Sequence, residues 1–108
     1  MRSVDTNVLV RLLTRGDARQ VASADEFVAG GAWVSHLVLA ETTWVLSAVY
    51  ELDARAIATA LEMLLSHDSL SIADPDVVRA ALANFRKKPS LGFSDCLILE
   101  VARAAGQK

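Results

Sequence analysis

Apolar residues recur along this chain in two alternating rhythms, short compact runs and longer stretches at helical spacing. Arg2-Ser3-Val4 reads as a short strand that ends at Asp5. From Thr6 to Thr14 the apolar positions Val8, Leu9, Leu12 and Leu13 fall on one side of a helix. Asp17 is placed to cap a second helix running to about Val28, which Gly30-Gly31 stops. Ala32-Trp33-Val34 follows as a short buried strand. Ser35 is suited to cap a third helix, His36 to Val49, and Asp53 a fourth, to about Ser66. Leu70 to Ala73 reads as a third strand. Asp74-Pro75 combines a capping carboxylate with proline at the first helical position, and predicts a fifth helix to about Arg86. Pro89 breaks the chain, Ser94 opens a last helix, and Gly106 terminates it.

Strands alternating with helices predict a single α/β domain over residues 1–108, with a parallel sheet covered by helices on both faces, a three-layer α/β/α arrangement. Function in such sheets gathers at the carboxyl ends of the strands, where Asp5 stands. Only three strands are visible. Either the domain ends there, or the chain lacks a C-terminal strand that would follow Lys108. The second reading is favoured because parallel sheets usually have more strands.

Composition narrows the picture. Hydrophobic residues make up 53%, enough for a packed core. No apolar run approaches the roughly 18 residues of a membrane span, and the start of the chain lacks the apolar stretch of a secretion signal. With one cysteine, Cys96, no internal disulfide can form. A cytoplasmic location is expected. The net charge of −2 supplies no basic surface to recruit nucleic acid by bulk charge.

Most of the 13 acidic residues fit helix caps or a solvated surface, but three stand apart. On a helix turning about 100° per residue, Glu41 is flanked by Leu37, Trp44, Val45 and Ala48, while His36, Thr43 and Ser47 lie on the other side. Glu41 is therefore expected in the middle of a buried face. An ionised carboxylate there must be paired, protonated or metal-bound. Asp95, beside Ile98, Leu99 and Ala102, repeats the pattern, although a first-turn acid is also favoured by the helix dipole. Asp5 reads either as a cap for the first helix or as part of the same set. No basic residue is placed to neutralise all three from within, so a shared hard cation is expected, with carboxylate oxygens as ligands. His36 and His67 read as surface residues, and Cys96 as a small buried apolar one.

Together these residues resemble a known family. Val4-Asp5-Thr6-Asn7-Val8-Leu9-Val10-Arg11 is similar to the first motif of PIN-domain nucleases, especially VapC-type toxins of bacterial toxin–antitoxin pairs. Ala40-Glu41 is similar to the second acidic motif, and Gly92-Phe93-Ser94-Asp95-Cys96-Leu97-Ile98 to the third. The resemblance runs from Met1 to Lys108. It implies an α/β domain that binds Mg2+ or Mn2+ and hydrolyses RNA phosphodiesters, working as a homodimer whose site a cognate VapB-type antitoxin covers. By matched position Asp5, Glu41 and Asp95 would be the metal ligands and catalytic groups. Thr6, Asn7 and Ser94 would support them. The family commonly carries a further acid just after the next strand, and the sequence stops before that point. The chain is then either a trimmed form of a longer one or a degraded member.

The expected chemistry is metal-assisted hydrolysis, with no histidine base or covalent nucleophile. Arg11, Arg15, Arg86, Lys87 and Lys88 are candidates to hold the RNA backbone, although the last three also fit a solvated helix end. One rival is a PIN-like domain without turnover that binds an antitoxin or RNA. Another is a phosphotransfer enzyme with Asp5 as nucleophile. It is disfavoured because Asn7 occupies the place of a second aspartate and no Gly-rich phosphate loop is present.

Overall fold

The computed structural model describes residues 1–107. Three strands, β1 (Arg2–Ser3), β2 (Ala32–Val34) and β3 (Leu70–Ile72), form one parallel sheet in the order β1-β2-β3. Six helices flank it: α1 (Thr6–Thr14), α2 (Ala18–Ala29), α3 (His36–Ala48), α4 (Ala54–Ser66), α5 (Pro75–Lys87) and α6 (Phe93–Ala104). A 3-10 turn (Pro89–Leu91) joins the last two helices. Arg2 is in register with Ala32, and Ala32 with Leu70. Ladder bonding reaches one residue past both outer strands. The Val4 N–H donates to the Trp33 carbonyl at 2.9 Å, and the Ala73 N–H to that of Val34 at 2.9 Å. This is why the sequence, read by its apolar residues, runs each of those strands one position longer.

The helix boundaries follow local chemistry. Asp17 accepts from the N–H groups of Arg19 and Gln20, Ser35 from that of Val38, and Asp53 from that of Ala56. Each sits in extended backbone, as an N-terminal cap requires. Asp74 departs from expectation. It lies in the left-handed region (φ 42, ψ 64) and its carboxylate caps nothing. Without a capping bond, Pro75 at the first helical position marks the start of α5. The last helix also starts one residue before Ser94, at Phe93, with Gly92 as its boundary. Gly92 adopts φ 77, ψ 149, a region open essentially to glycine alone.

Leu9, Val34, Leu39, Leu46, Leu61 and Val78 are closed off from solvent and form the centre of the core. In the sheet, successive side chains point to opposite faces. Ala32, Val34, Leu70 and Ile72 are buried on one face, while Ser3, Trp33 and Ser71 on the other are exposed. No helix among the described residues is long and apolar enough to cross a membrane.

Three helices matter for the site. α3 packs against both α1 and α6, and α6 packs most extensively on α5, where Phe85 and Phe93 meet edge to face at 6.2 Å between ring centroids.

Candidate functional site

Asp5 stands where β1 hands over to α1. Its backbone is extended (φ −99, ψ 171), and its Oδ1 accepts from the Val8 N–H at 3.0 Å. The capping role left open by the sequence is therefore realised. The carboxylate is exposed, and its second oxygen has no hydrogen-bond partner among the described residues. Thr6 is buried at the first position of α1, whereas Asn7 is exposed.

Glu41 is not where the helical pattern predicts it. It is exposed, as are Leu37 (83%) and Trp44 (64%) on the same side of α3. The buried side carries Leu39, Thr42, Thr43 and Leu46. Thr43, on the side read as polar, is in fact buried, as is Thr42 beside it. The Thr42 hydroxyl donates to the Val38 carbonyl at 2.7 Å, and that of Thr43 to Ala40 at 2.8 Å. A hydroxyl satisfied within its own helix can be buried at little cost. Being apolar nearly all round, α3 offered no strong contrast between its faces.

Asp95 follows the same correction. Its neighbours Ile98 (68%) and Leu99 (43%) are exposed, and α6 buries Phe93, Cys96 and Leu97 instead. Asp95 itself is exposed in the first turn of the helix, where the dipole favours a negative charge. Ser94 is half-buried beside it.

The three acids thus lie on neighbouring helices, all open to solvent. None of them takes part in an ion pair among the described residues. They are not gathered into a ready cage, because no group of three or more histidine, cysteine, aspartate or glutamate side chains among the described residues is close enough to hold a metal. For a divalent cation the donor chemistry is suitable, with hard carboxylate oxygens that no basic partner neutralises. The shared site expected from the sequence is thus not preassembled among the described residues.

The basic candidates divide. Arg15 pairs with Asp25 at 3.1 Å, and Arg86 with Glu62 at 2.8 Å, so both are engaged within the chain. Arg11, Lys87 and Lys88 form no ion pair among the described residues. The histidines are structural and half-buried rather than surface groups. His36 Nε2 lies 2.8 Å from the Ala73 carbonyl, tying α3 to the end of β3, and His67 Nδ1 accepts from the Ser69 N–H at 3.1 Å. Cys96 is buried, and its thiol is pushed above its ordinary pKa by burial first, and then by the charges of Asp95 and Glu100.

Two features escaped the sequence. Glu100, read as surface, keeps only 11% of its side chain exposed, accepting from Asn84 at 2.6 Å and Arg103 at 3.0 Å. This joins α6 to α5, a contact no local pattern reveals. The other is a cleft of about 440 Å³ whose lining includes Thr43, Trp44, Asp53, Phe85, Phe93 and Asp95. The helical pattern places Trp44 on the inner face of α3, whereas the structure leaves it 64% exposed, and no signal in the sequence marks the difference.

Comparison with curated proteins and with solved structures gave no match. A match of the PIN domain model to residues 3–108 agrees with the three-stranded parallel α/β fold, and the chain belongs to the PIN domain family.

Proposed function

We propose that this chain is a VapC-type ribonuclease that hydrolyses RNA phosphodiesters with Mg2+ or Mn2+, through Asp5, Glu41 and Asp95. The observation that carries the reading is the family match over residues 3–108 together with three exposed carboxylates, on neighbouring helices, that no lysine or arginine neutralises. An acid retained in the open without a partner is available to a ligand.

Phosphodiester hydrolysis needs a water oxygen made nucleophilic and the charge developing on the phosphate offset. A bound divalent cation supplies both. The chain contributes the oxygens. Asp5 is held in one orientation by its bond to the Val8 N–H, which leaves its other oxygen free to accept a proton or face a cation. Glu41 and Asp95 present theirs from α3 and α6. Thr6, Asn7 and Ser94, within two residues of these acids in sequence, belong to the proposal as supporting groups. Arg11, Lys87 and Lys88 are the basic candidates left unpaired to meet the RNA backbone. A homodimer, a VapB-type antitoxin and a cytoplasmic setting form part of the same proposal, and exposed Ile98, Leu99 and Val101 on α6 are of the kind that protein interfaces bury.

Wild type incubated with RNA and Mn2+ should cleave it, and Glu41→Gln should not. Equal cleavage by both proteins, or by preparations treated with a chelator, would refute the reading. A second reading draws on the finding that no three-acid group is preassembled among the described residues. It is a PIN domain without turnover that binds an antitoxin or RNA, and RNA binding unaccompanied by cleavage in the same experiment would favour it.

A further inference from the structure

The cleft beside Asp95 has a character that the cleavage chemistry does not use. Ile57, Phe85 and Phe93 give it buried apolar surface, and Trp44, 64% exposed, adds an aromatic face. Its lining includes two carboxylates, Asp53 and Asp95, and no lysine or arginine. All the side-chain charge in this lining is negative, so a phosphate finds no cationic partner here. A flat, neutral ring with N–H donors on its edge would meet an aromatic face and acceptors. Asp53 Oδ1 accepts from the Ala56 N–H at 2.8 Å, which fixes the carboxylate and leaves its other oxygen to accept. Two side chains tie this cleft to the proposed reaction. Asp95 belongs to both, and Trp44 comes one helical turn after Glu41 on the exposed side of α3.

We propose that this cleft binds an unpaired, amino-bearing base of the RNA substrate, adenine, cytosine or guanine, stacked on Trp44 and donating an N–H to Asp53. The inference rests on the ribonuclease reading for the identity of the ligand. Stacking on an aromatic side chain tolerates any base. Discrimination comes from the carboxylate, which accepts readily from an exocyclic amino group at the base edge, whereas the one N–H on uracil's pairing edge, N3–H, lies between two carbonyl oxygens that repel a carboxylate.

The test uses Glu41→Gln, so that RNA is not consumed, with Trp33→Phe added so that Trp44 is the sole tryptophan and can be excited selectively at about 295 nm or above. Short single-stranded oligo-A, oligo-C and oligo-U are titrated with Mg2+ present, following Trp44 emission and the anisotropy of dye-labelled RNA. Oligo-A and oligo-C should quench Trp44 and bind more tightly than oligo-U. Trp44→Ala should weaken binding of both about tenfold, while Trp44→Phe stays within about threefold. Asp53→Asn, which preserves the cap of α4, should bring oligo-A and oligo-C down to the level of oligo-U. Equal binding of all three RNAs, untouched by Trp44→Ala, would overturn the proposal. So would quenching of Trp44 by an arginine-rich peptide where no RNA quenches it, which would assign the cleft to a protein partner. Because binding is read without turnover, the two readings fail separately. Wild-type cleavage with Trp44 silent sinks the base site alone, and quenching without any wild-type cleavage sinks the nuclease reading alone.

Discussion

Asp5 is asked to do two things, and they can be separated. Its Oδ1 caps α1 through the Val8 N–H at 3.0 Å, while its charge and second oxygen are the proposed contribution to cleavage. Asp5→Ala removes both. Loss of a capping side chain costs about 0.5–2 kcal/mol, and loss of a negative charge at a helix N-terminus about 0.3–1 kcal/mol in addition. A total near 1–2 kcal/mol corresponds to a fall in Tm of roughly 5–15 °C for a domain of this size. Asp5→Asn keeps a capping oxygen of equal quality and loses only the charge, so its Tm should fall by about 8 °C at most. Both variants should be inactive. The assay pairs thermal unfolding, followed by circular dichroism, with RNA cleavage in Mn2+. If Asp5→Asn falls as far as Asp5→Ala, the cap is not what Asp5 contributes to stability. If Asp5→Asn is both stable and fully active, the carboxylate has no part in the chemistry.

Three further outcomes follow from the packing. Leu39→Ala, at a site 1% exposed, should cost about 2–5 kcal/mol in urea unfolding, while Leu37→Ala, 83% exposed, should change stability by less than about 0.5 kcal/mol; the reverse order would restore the inverted face of α3. Glu100→Ala leaves the half-buried Asn84 without its acceptor and should cost about 1–3 kcal/mol, where Asp76→Ala, whose bond to Arg79 lies in the open, should cost almost nothing. Cys96, with its thiol pushed upward chiefly by burial, should resist iodoacetamide at pH 8 in the native protein and react in urea. Since the folded chain holds that proton more firmly, this contribution to stability is complete below the unfolded thiol's pKa of about 8.5 and is lost as pH rises through the folded value, so a melting temperature flat from pH 8 to 10 would contradict the shift.

Where the sequence was legible, the cause was local. α1 runs from Thr6 to Thr14 as its spacing predicts, and Ser35 and Asp53 cap because side chain and backbone within three residues decide it. Parallel pairing was also readable, because each strand is followed by helices rather than a hairpin turn. Which side of a helix faces inward is a tertiary matter. On α3 the threonines looked polar but close their own hydrogen bonds, so Glu41 was assigned to the interior when it faces water. On α6 the buried side is chosen by contact with Phe85 from α5, which no window centred on Asp95 contains. Asp74 failed differently: the residue type was right for a cap, but its left-handed backbone was not visible in the letters. For Glu41 and Asp95 the expected burial is therefore replaced by exposure, which the helical pattern alone does not reveal.

The parallel sheet has one more electrostatic consequence. Because β1, β2 and β3 all run the same way and each leads within a few residues into α1, α3 and α5, three helices begin along a single margin of the molecule. Their peptide dipoles add partial positive charge there, drawn from the backbone and not from any side chain. A margin of this kind can tolerate anionic groups, its own or a visitor's, without a single lysine, and substitution of surface residues cannot remove it.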